Sequence, residues 1–485
     1  MKRELNLEKD AKIGAAERFA YGFGGAFGAG AVNIFIASFL LIFYTEILHV
    51  DPLMASSIIG VSKLLDGLSD LVAGKIIDNT HHRLGKTRIW ILRMIPLTAA
   101  SLFAIYLMPM GMPKPLQAVY MFITYNLSST ICYTMSYVAY MTLNGLMTTD
   151  QISRGNNAAI QMIGNVIIGL VGNSTIISLL TALSKDKSYS AYGDRRGWLL
   201  LLSLYMIIYA VCELILVFGT RERVQENQPT DDTEKSGEKI PFLTTLKALV
   251  TNRYWVINII VCFAINFLMG LESTVSSLVC TYILGDVAFY QVSATVNAVS
   301  MLVGMLLGMI VMKKLGKRNS VICGLTLRVI GGLFLVIGIS RTTMMVGGVM
   351  GGFGYGIAGS AFASVIQDVL TYGEWKNGFS MIGMGNAANS FCNKVGNSIG
   401  TILMGAIMSA TGYAAGLAAQ PDSAIMGFKA IYIYIPLVVE AIAIAAMFFY
   451  NLDKIYPKVV ADLKDGKYYQ KNKGNTDLIS VSLIS

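Results

Sequence analysis

Two aspartates, Asp66 and Asp70, stand four residues apart in the run Ser62-Lys63-Leu64-Leu65-Asp66-Gly67-Leu68-Ser69-Asp70. On a helix this spacing puts both carboxylates on one face, with Lys63 one turn ahead of Asp66. Two carboxylates turned into one cavity repel each other unless something positive lies between them. A sodium ion held by carboxylate and hydroxyl oxygens meets that need, and so does a proton shared by the pair. The plainer reading is a helix-packing ion pair between Lys63 and Asp66. One lysine cancels only one charge, however, and leaves Asp70 unexplained.

Lys394 is the second conspicuous charge, in the middle of Asn386-Ala-Ala-Asn-Ser-Phe-Cys-Asn-Lys394-Val-Gly. So placed it needs a carboxylate partner. Asp66 or Asp70 would make it part of a coupling device, and Asp368 would make it a structural lock. Glu272, in Gly270-Leu271-Glu272-Ser273-Thr274, either hydrogen-bonds a hydroxylated or basic solute or caps a bend. Arg93, Glu213 and Arg328 are assigned to interfaces or helix–helix pairs. The glycine-rich runs Gly164–Gly172 and Gly347–Gly356 are not phosphate loops, because no strand precedes them and no Lys-Ser/Thr follows. Small residues at helical spacing serve close packing instead.

The elements that carry these residues follow from composition. Of 485 residues 54% are hydrophobic and only 14% charged, too little charge to cover a soluble protein of this size. Ile89 to Met110, Trp198 to Gly219 and Met426 to Tyr450 are each nearly uncharged and long enough to cross a hydrocarbon layer of ~30 Å. Segments that span must satisfy their own backbone groups, so they are helices. An all-α integral membrane fold of about twelve helices is expected. The spans lie near 18–47, 53–78, 89–110, 115–147, 152–184 and 197–219, then 254–284, 289–312, 320–340, 343–370, 379–412 and 426–450. Residues 1–219 thus form one six-helix half, 220–253 a polar linker, 254–450 a second half and 451–485 a tail. The six cysteines are scattered through apolar blocks without metal or disulfide spacing, and the start, Met1 to Lys12, lacks the apolar run of a signal peptide.

Short basic loops set the orientation. His81 to Arg88 and Lys313 to Arg318 carry no acids, which places both at the cytoplasmic face and, with an even helix count, both termini as well. Lys185 to Arg196 is basic yet must lie outside. The net charge of +9 then reflects loops facing anionic lipid rather than nucleic acid.

An internal repeat organises the chain. Leu84-Gly85-Lys86 recurs 231 residues on as Leu315-Gly316-Lys317, and Ile163-Gly164-Asn165 recurs 232 residues on as Val395-Gly396-Asn397. Two landmarks whose offsets agree to within one residue argue for duplicated halves, the architecture of major facilitator transporters, which bind solute between the halves. An offset of 231 carries Asp66 and Asp70 onto Asn297 and Met301, so the carboxylate pair belongs to one half alone.

The motifs resemble the glycoside–pentoside–hexuronide:cation symporters, the family of the melibiose carrier. They are Asp66-Gly-Leu-Ser-Asp70 through Gly74-Lys-Ile-Ile-Asp78 to Arg83-Leu-Gly-Lys86 and Trp90, with Tyr21-Gly-Phe-Gly24, Phe43-Tyr-Thr-Glu46, Thr148-Thr-Asp150 with Arg154, Thr220-Arg-Glu-Arg-Val224, Asn252-Arg-Tyr-Trp255 and Tyr372-Gly-Glu-Trp-Lys376. The resemblance runs from about residue 18 to 450. It implies Asp66, Asp70, Ser69 and Thr134 as cation ligands and Lys394 as the lysine facing them. The family's sugar-recognition positions are replaced: Gly30 and Tyr137 stand at Asp/Asn positions, Gln161 or Met162 at an arginine, Gly359 near a tryptophan, and Glu272 where relatives are often basic.

The expectation is cation-coupled symport, driven by Na+ or H+, of a glycoside or related polar solute. The protein would be a monomer in the plasma or inner membrane, surrounded by lipid and without a cofactor. Lys394 and Lys63 would couple the ion to a solute site of Tyr137, Tyr140, Gln161 and Glu272, and Asp78, Arg83, Lys86 and Lys317 would gate the cytoplasmic side. An uncoupled facilitator or exporter is one alternative, and a transporter-derived sensor another, although the tail Asn451 to Ser485 shows no signalling domain. No nucleophile–base or metal constellation points to an enzyme.

Overall fold

A computed structural model of the chain describes residues 12–148, 151–186, 192–223, 247–272, 274–379, 382–415, 417 and 419–464. Most of the expected linker (224–246), the tail from 465 on, Asp150 and Ser273 lie outside the described residues.

The first six helices are α1 (Ala15–Ile47), α2 (Pro52–Asp78), α3 (Arg88–Tyr106), α4, α5 (Gln151–Leu183) and α6 (Arg195–Gly219). Of these, α4 runs as Lys114–Tyr125, a π-helical Asn126–Tyr133 and Thr134–Met147. The second six open with α7, in two pieces, Arg253–Glu272 and Val275–Tyr282. They continue as α8 (Phe289–Leu315), α9 (Lys317–Ile337), α10 (Arg341–Asn377), α11 (Ile382–Ala410) and α12 (Asp422–Phe448). An amphipathic α13 (Leu452–Lys464) follows. One sequence expectation shifts: α10 runs on to Asn377, where Gly378 at φ +79° ends it in the left-handed conformation.

Local chemistry sets the helix starts. Asp51 accepts from the Met54 amide (2.9 Å) ahead of Pro52 at the first turn of α2. Asp194 accepts from the Gly197 amide (2.7 Å) at the start of α6, and Ser340 with Thr343 forms a capping box on α10. Among the described residues nine helices are long and apolar enough to cross a bilayer, and α2, α4 and α11 are the long helices that fall short. Those three hold Lys63, Asp66, Asp70, Thr134 and Lys394. Neighbouring helices, not lipid, satisfy them.

The repeat has a structural counterpart. Gly164 sets α5 against the Gly22 carbonyl and Ala26 of α1, and Gly396 sets α11 against the Phe263 carbonyl and Asn266 of α7. In the loops, Gly85 (φ +111°) lies against the Glu222 carboxylate and Gly316 (φ +80°) against that of Asp453. Glu222 accepts from the Lys86, Thr87 and Arg88 amides at 2.9–3.0 Å at the start of α3. Asp453 accepts from the Arg318 amide (2.9 Å) at the start of α9. Glu222 and Asp453 are themselves 231 residues apart. Both are anions at helix N-termini, where exposed N–H groups favour negative charge.

The halves meet along two helix pairs, α2 with α11 and α5 with α8. Ser409 to Asp51 (3.3 Å), Ser398 to the Gly60 carbonyl (2.5 Å) and Lys63 to Asn397 (2.7 Å) follow one another down the first pair. Ser178 to Gln291 (2.8 Å), Tyr290 to Asn173 (3.3 Å) and a contact between Ser174 and Thr295 mark the second. Glu46 of α1 accepts from Tyr282 (2.8 Å) and from Tyr413, and Tyr192 lies 2.8 Å from both Ser277 and Thr281. These contacts share the end of the bundle that holds the α1–α2 and α7–α8 connections. The basic α2–α3 and α8–α9 loops lie at the opposite end.

Candidate functional site

The carboxylate pair sits on α2 where α4 and α11 converge. Thr130 on α4 donates to Asp66 Oδ1 (2.5 Å), and Ser129 lies 3.5 Å from Oδ2. Asn126 Oδ1 lies 2.9 Å from the Thr130 hydroxyl, and its amide nitrogen donates to Ser62 (2.8 Å). Asp70 is paired with Lys394 Nζ, which reaches it from α11 in the other half. Asp368 is taken by Lys317 at 2.5 Å, so Lys394 is not the structural lock considered above.

Three expected partners are placed differently. Thr134 is buried beyond the π-helical segment, and Thr130 is the hydroxyl on Asp66 instead. A π turn takes one more residue than an α turn, so the faces before and after it fall out of α-helical register. Ser69 donates to the Asp66 backbone carbonyl (3.0 Å) within its own helix. Lys63 does not neutralise Asp66: its Nζ donates to Asn397 Oδ1 (2.7 Å) and Thr401 Oγ1 (3.2 Å) across the interface. The pair thus keeps an acidic face, with Asp70 40% exposed and opposed by a single lysine.

Three of the four expected solute residues gather around Tyr21, with Tyr137 edge-on to Tyr140 at 6.4 Å, but as packing, and Glu272 lies apart from them. Tyr140 is core: its hydroxyl donates to the Tyr21 carbonyl (3.1 Å), its ring packs on Tyr21, and a side chain at Gly25 would overlap it. Gln161 is 8% exposed and bonded through Tyr21 and Met141, so it is packing too. Tyr137 is half-buried and stacks on Tyr133. Glu272 lies in the other half, 3.5 Å from Arg328, which is also paired with Glu440 of α12. Glu440, a lone acid in an apolar run, was readable from sequence by the same reasoning that found Lys394, and was overlooked. The expected gate residues pair within their own halves, Lys86 with Asp78 at 3.1 Å and Lys317 with Asp368, while Arg83 is exposed. Among the described contacts they do not bridge the halves.

A family model described as MFS/sugar transport protein matches residues 20–454. The chain is 28% identical over 461 residues to the isoprimeverose transporter of Lactiplantibacillus pentosus, covering 94% of this chain and 92% of that one. It is 24% identical to the glucuronide carrier protein homolog of Escherichia coli (strain K12), covering 92% of this chain and 93% of that one. Among solved structures, a D-xylose-proton symporter matches with a TM-score of 0.62 at 14% identity, covering 90% of this chain and 97% of the other. The nucleoside transporter NupG matches with a TM-score of 0.61 at 12% identity, covering 90% and 100%. These likenesses establish the major facilitator fold, twelve membrane-spanning helices in two six-helix halves. The chain is a multi-pass membrane transporter, not an enzyme, and belongs to the MFS/sugar transport protein family.

Proposed function

We propose that this transporter carries a glycoside or related polar solute together with a coupling cation, Na+ or H+, by alternating access. The observation that carries the reading is the α2–α11 crossing, where Lys394 of one half meets Asp70 of the other beside Asp66. In the cation-free state Lys394 supplies the positive charge that the two carboxylates require. An arriving cation replaces it, with Asp66, Asp70 and the Thr130 and Ser129 hydroxyls as an oxygen-rich set suited to a hard ion. Because Lys394 belongs to the second half, its release alters how the halves are held. Ion and solute then favour each other's binding reciprocally. The sugar assignment leans on what the relatives are named for. The basic loops argue for a cytoplasmic face at the end opposite the joined one, hence for an inward-open conformation in a plasma or inner membrane.

The test is uptake of labelled methyl glycosides into proteoliposomes under imposed sodium or proton gradients. Accumulation against a gradient that disappears in Asp66→Asn and Asp70→Asn is expected. Uptake indifferent to both gradients would leave an uncoupled facilitator.

A further inference from the structure

A second cluster of buried charge stands apart from the carboxylate pair. Within the C-terminal half, α7, α9, α10, α11 and α12 enclose a cavity of about 220 Å³. Glu272, Arg328, Tyr355, Asn389, Asn393 and Glu440 are among its polar lining residues, and Met269, Leu325 and Phe362 are among its apolar walls. Pockets for drug-sized ligands run from roughly 300 to 1,000 Å³, so this one suits a single ring.

Its polar groups are partly spent on one another. Arg328 Nε is paired with Glu440 and its Nη2 with Glu272 at 3.5 Å, while its guanidinium lies over the Tyr355 ring at 5.5 Å. Asn393 Oδ1 accepts from Asn266 (2.8 Å) and Cys262 (2.7 Å), so what its amide still offers is N–H donors. Glu440 is sealed at 4% exposure, whereas the Glu272 side chain is 30% exposed. The cavity therefore presents a carboxylate acceptor, amide donors and an aromatic edge, with two carboxylates set against one guanidinium.

We infer that this cavity is the solute subsite and that it selects an uncharged, polyhydroxylated ring over anionic analogues. This rests on the transport reading above and names the solute class. Ring hydroxyls donate to Glu272 and accept from Asn393. A uronate or sulfonate meets an arginine already paired on both sides and an unbalanced carboxylate, a like-charge contact in a confined site. Asn393 precedes Lys394 on α11, so one helix touches the ring and the cation site at consecutive residues. The cavity also answers a question left by the N-terminal half, where Tyr140 and Gln161 are packed away.

The experiment is calorimetric binding to the full chain in nanodiscs, using methyl β-xyloside, methyl β-glucoside, methyl β-galactoside and methyl β-glucuronide. At least one neutral probe should bind ten times more tightly than the uronide, or better. Glu272→Gln and Asn393→Ala should each weaken the best neutral probe, Glu272→Gln by roughly ten- to a hundredfold, the range for a hydrogen bond to a charged group. Cation-induced thermal stabilisation should persist in both variants, which separates a lost subsite from a lost fold. The inference is overturned, with the transport reading intact, if the uronide binds as well as the neutral probes. Unchanged neutral binding in both variants overturns it equally. A wild-type chain that binds none of the four probes overturns it together with the sugar reading.

Discussion

Lys63 of α2 and Lys394 of α11 cross the same interface in opposite directions, Lys63 to Asn397 and Thr401, Lys394 to Asp70. The two ammonium groups do unlike work. Lys63 ends on neutral amide and hydroxyl oxygens, so no cation competes for its partners. Lys394 ends on a carboxylate with a second carboxylate one turn away, which a cation does compete for. Asp66→Asn and Asp70→Asn should therefore each lower cation affinity by roughly ten- to a hundredfold, since each replaces a charged ligand with a neutral one. Uphill accumulation should vanish in both, while exchange of labelled for unlabelled solute persists. Undiminished accumulation in either variant contradicts the assignment.

Lys63 should act on conformation rather than on ion binding. Its two hydrogen bonds clamp α2 to α11 at the joined end, and bonds from a charged donor contribute about 1.5–3 kcal/mol each. Removing the clamp in Lys63→Met should raise the share of molecules open at that end at least tenfold, a shift of about 1.4 kcal/mol. In a cysteine-depleted background with Ser178→Cys at the α5–α8 contact, the labelling rate with a membrane-impermeant maleimide reports this directly. An unchanged rate would mean that the remaining contacts hold the end shut without Lys63.

Much of the fold was legible because a chain so poor in charge leaves few alternatives to spanning helices. Asp66, Asp70 and Lys394 stood out for the same reason, since an ionised group in an apolar block is conspicuous. What stayed hidden depended on distances along the chain or on local departures from α geometry. Thr130 displaced Thr134 because the π-helical turn over Asn126–Tyr133 shifts the register, and no residue pattern announced it. The true partners of Lys63 lie more than 330 residues away, on a helix whose docking the sequence does not state. Tyr140 read as a polar residue near the site, yet aromatic packing on Tyr21 claimed it. The Gly85 and Gly316 echo was visible, but the carboxylates that explain it, Glu222 and Asp453, become visible only when the loops are folded.

Those carboxylates give a stability prediction. Glu222 accepts four hydrogen bonds at the start of α3, three from backbone amides and one from the Thr87 hydroxyl (2.6 Å). Among the described contacts Asp453 accepts one amide at the start of α9. Glu222→Ala should therefore cost more than Asp453→Ala, about 2 kcal/mol or more against about 1, by the usual worth of such bonds at helix ends. Gly85→Ala should also destabilise, because its φ of +111° strains an L residue and the new Cβ would overlap Glu222. Thermal melts of the three variants in one detergent rank the effects, and equal losses at Glu222 and Asp453 would contradict the account.

The cap of α6 predicts a pH effect of definite sign. Partial burial alone would raise the Asp194 carboxyl, but the Asp186, Gly197 and Lys185 amides, at 2.7–3.0 Å, hold it below the ordinary carboxylate range. A carboxylate lowered on folding adds stability above its unfolded value near 3.9, and loses it as pH falls through the folded value. Asn keeps the shape and one acceptor but not the charge. Asp194→Asn should thus melt below the wild type at pH 7, by under about 1 kcal/mol for an exposed cap. The gap should close below about pH 4. A pH-independent gap would mean that shape, not charge, is what Asp194 provides.

The Arg328–Glu440 pair separates structural from recognition roles in the C-terminal cavity. Arg328 is 16% exposed and Glu440 4%, so neither can fall back on bulk water if its partner is removed. Leaving one charge of a buried pair uncompensated costs about 3–5 kcal/mol, whereas replacing both with apolar residues of similar volume is often near neutral. Glu440→Leu should accordingly lower thermal stability sharply, even though Glu272 still opposes Arg328. Arg328→Met with Glu440→Leu should recover most of the loss, and the coupling in the double-mutant cycle measures the pair. The recovered double variant should nevertheless bind neutral glycosides poorly, because Glu272 would then face the cavity without the guanidinium that fixes its carboxylate. If the double variant regained both stability and binding, the arginine would be a helix-packing residue and Glu272 would owe its orientation to something else.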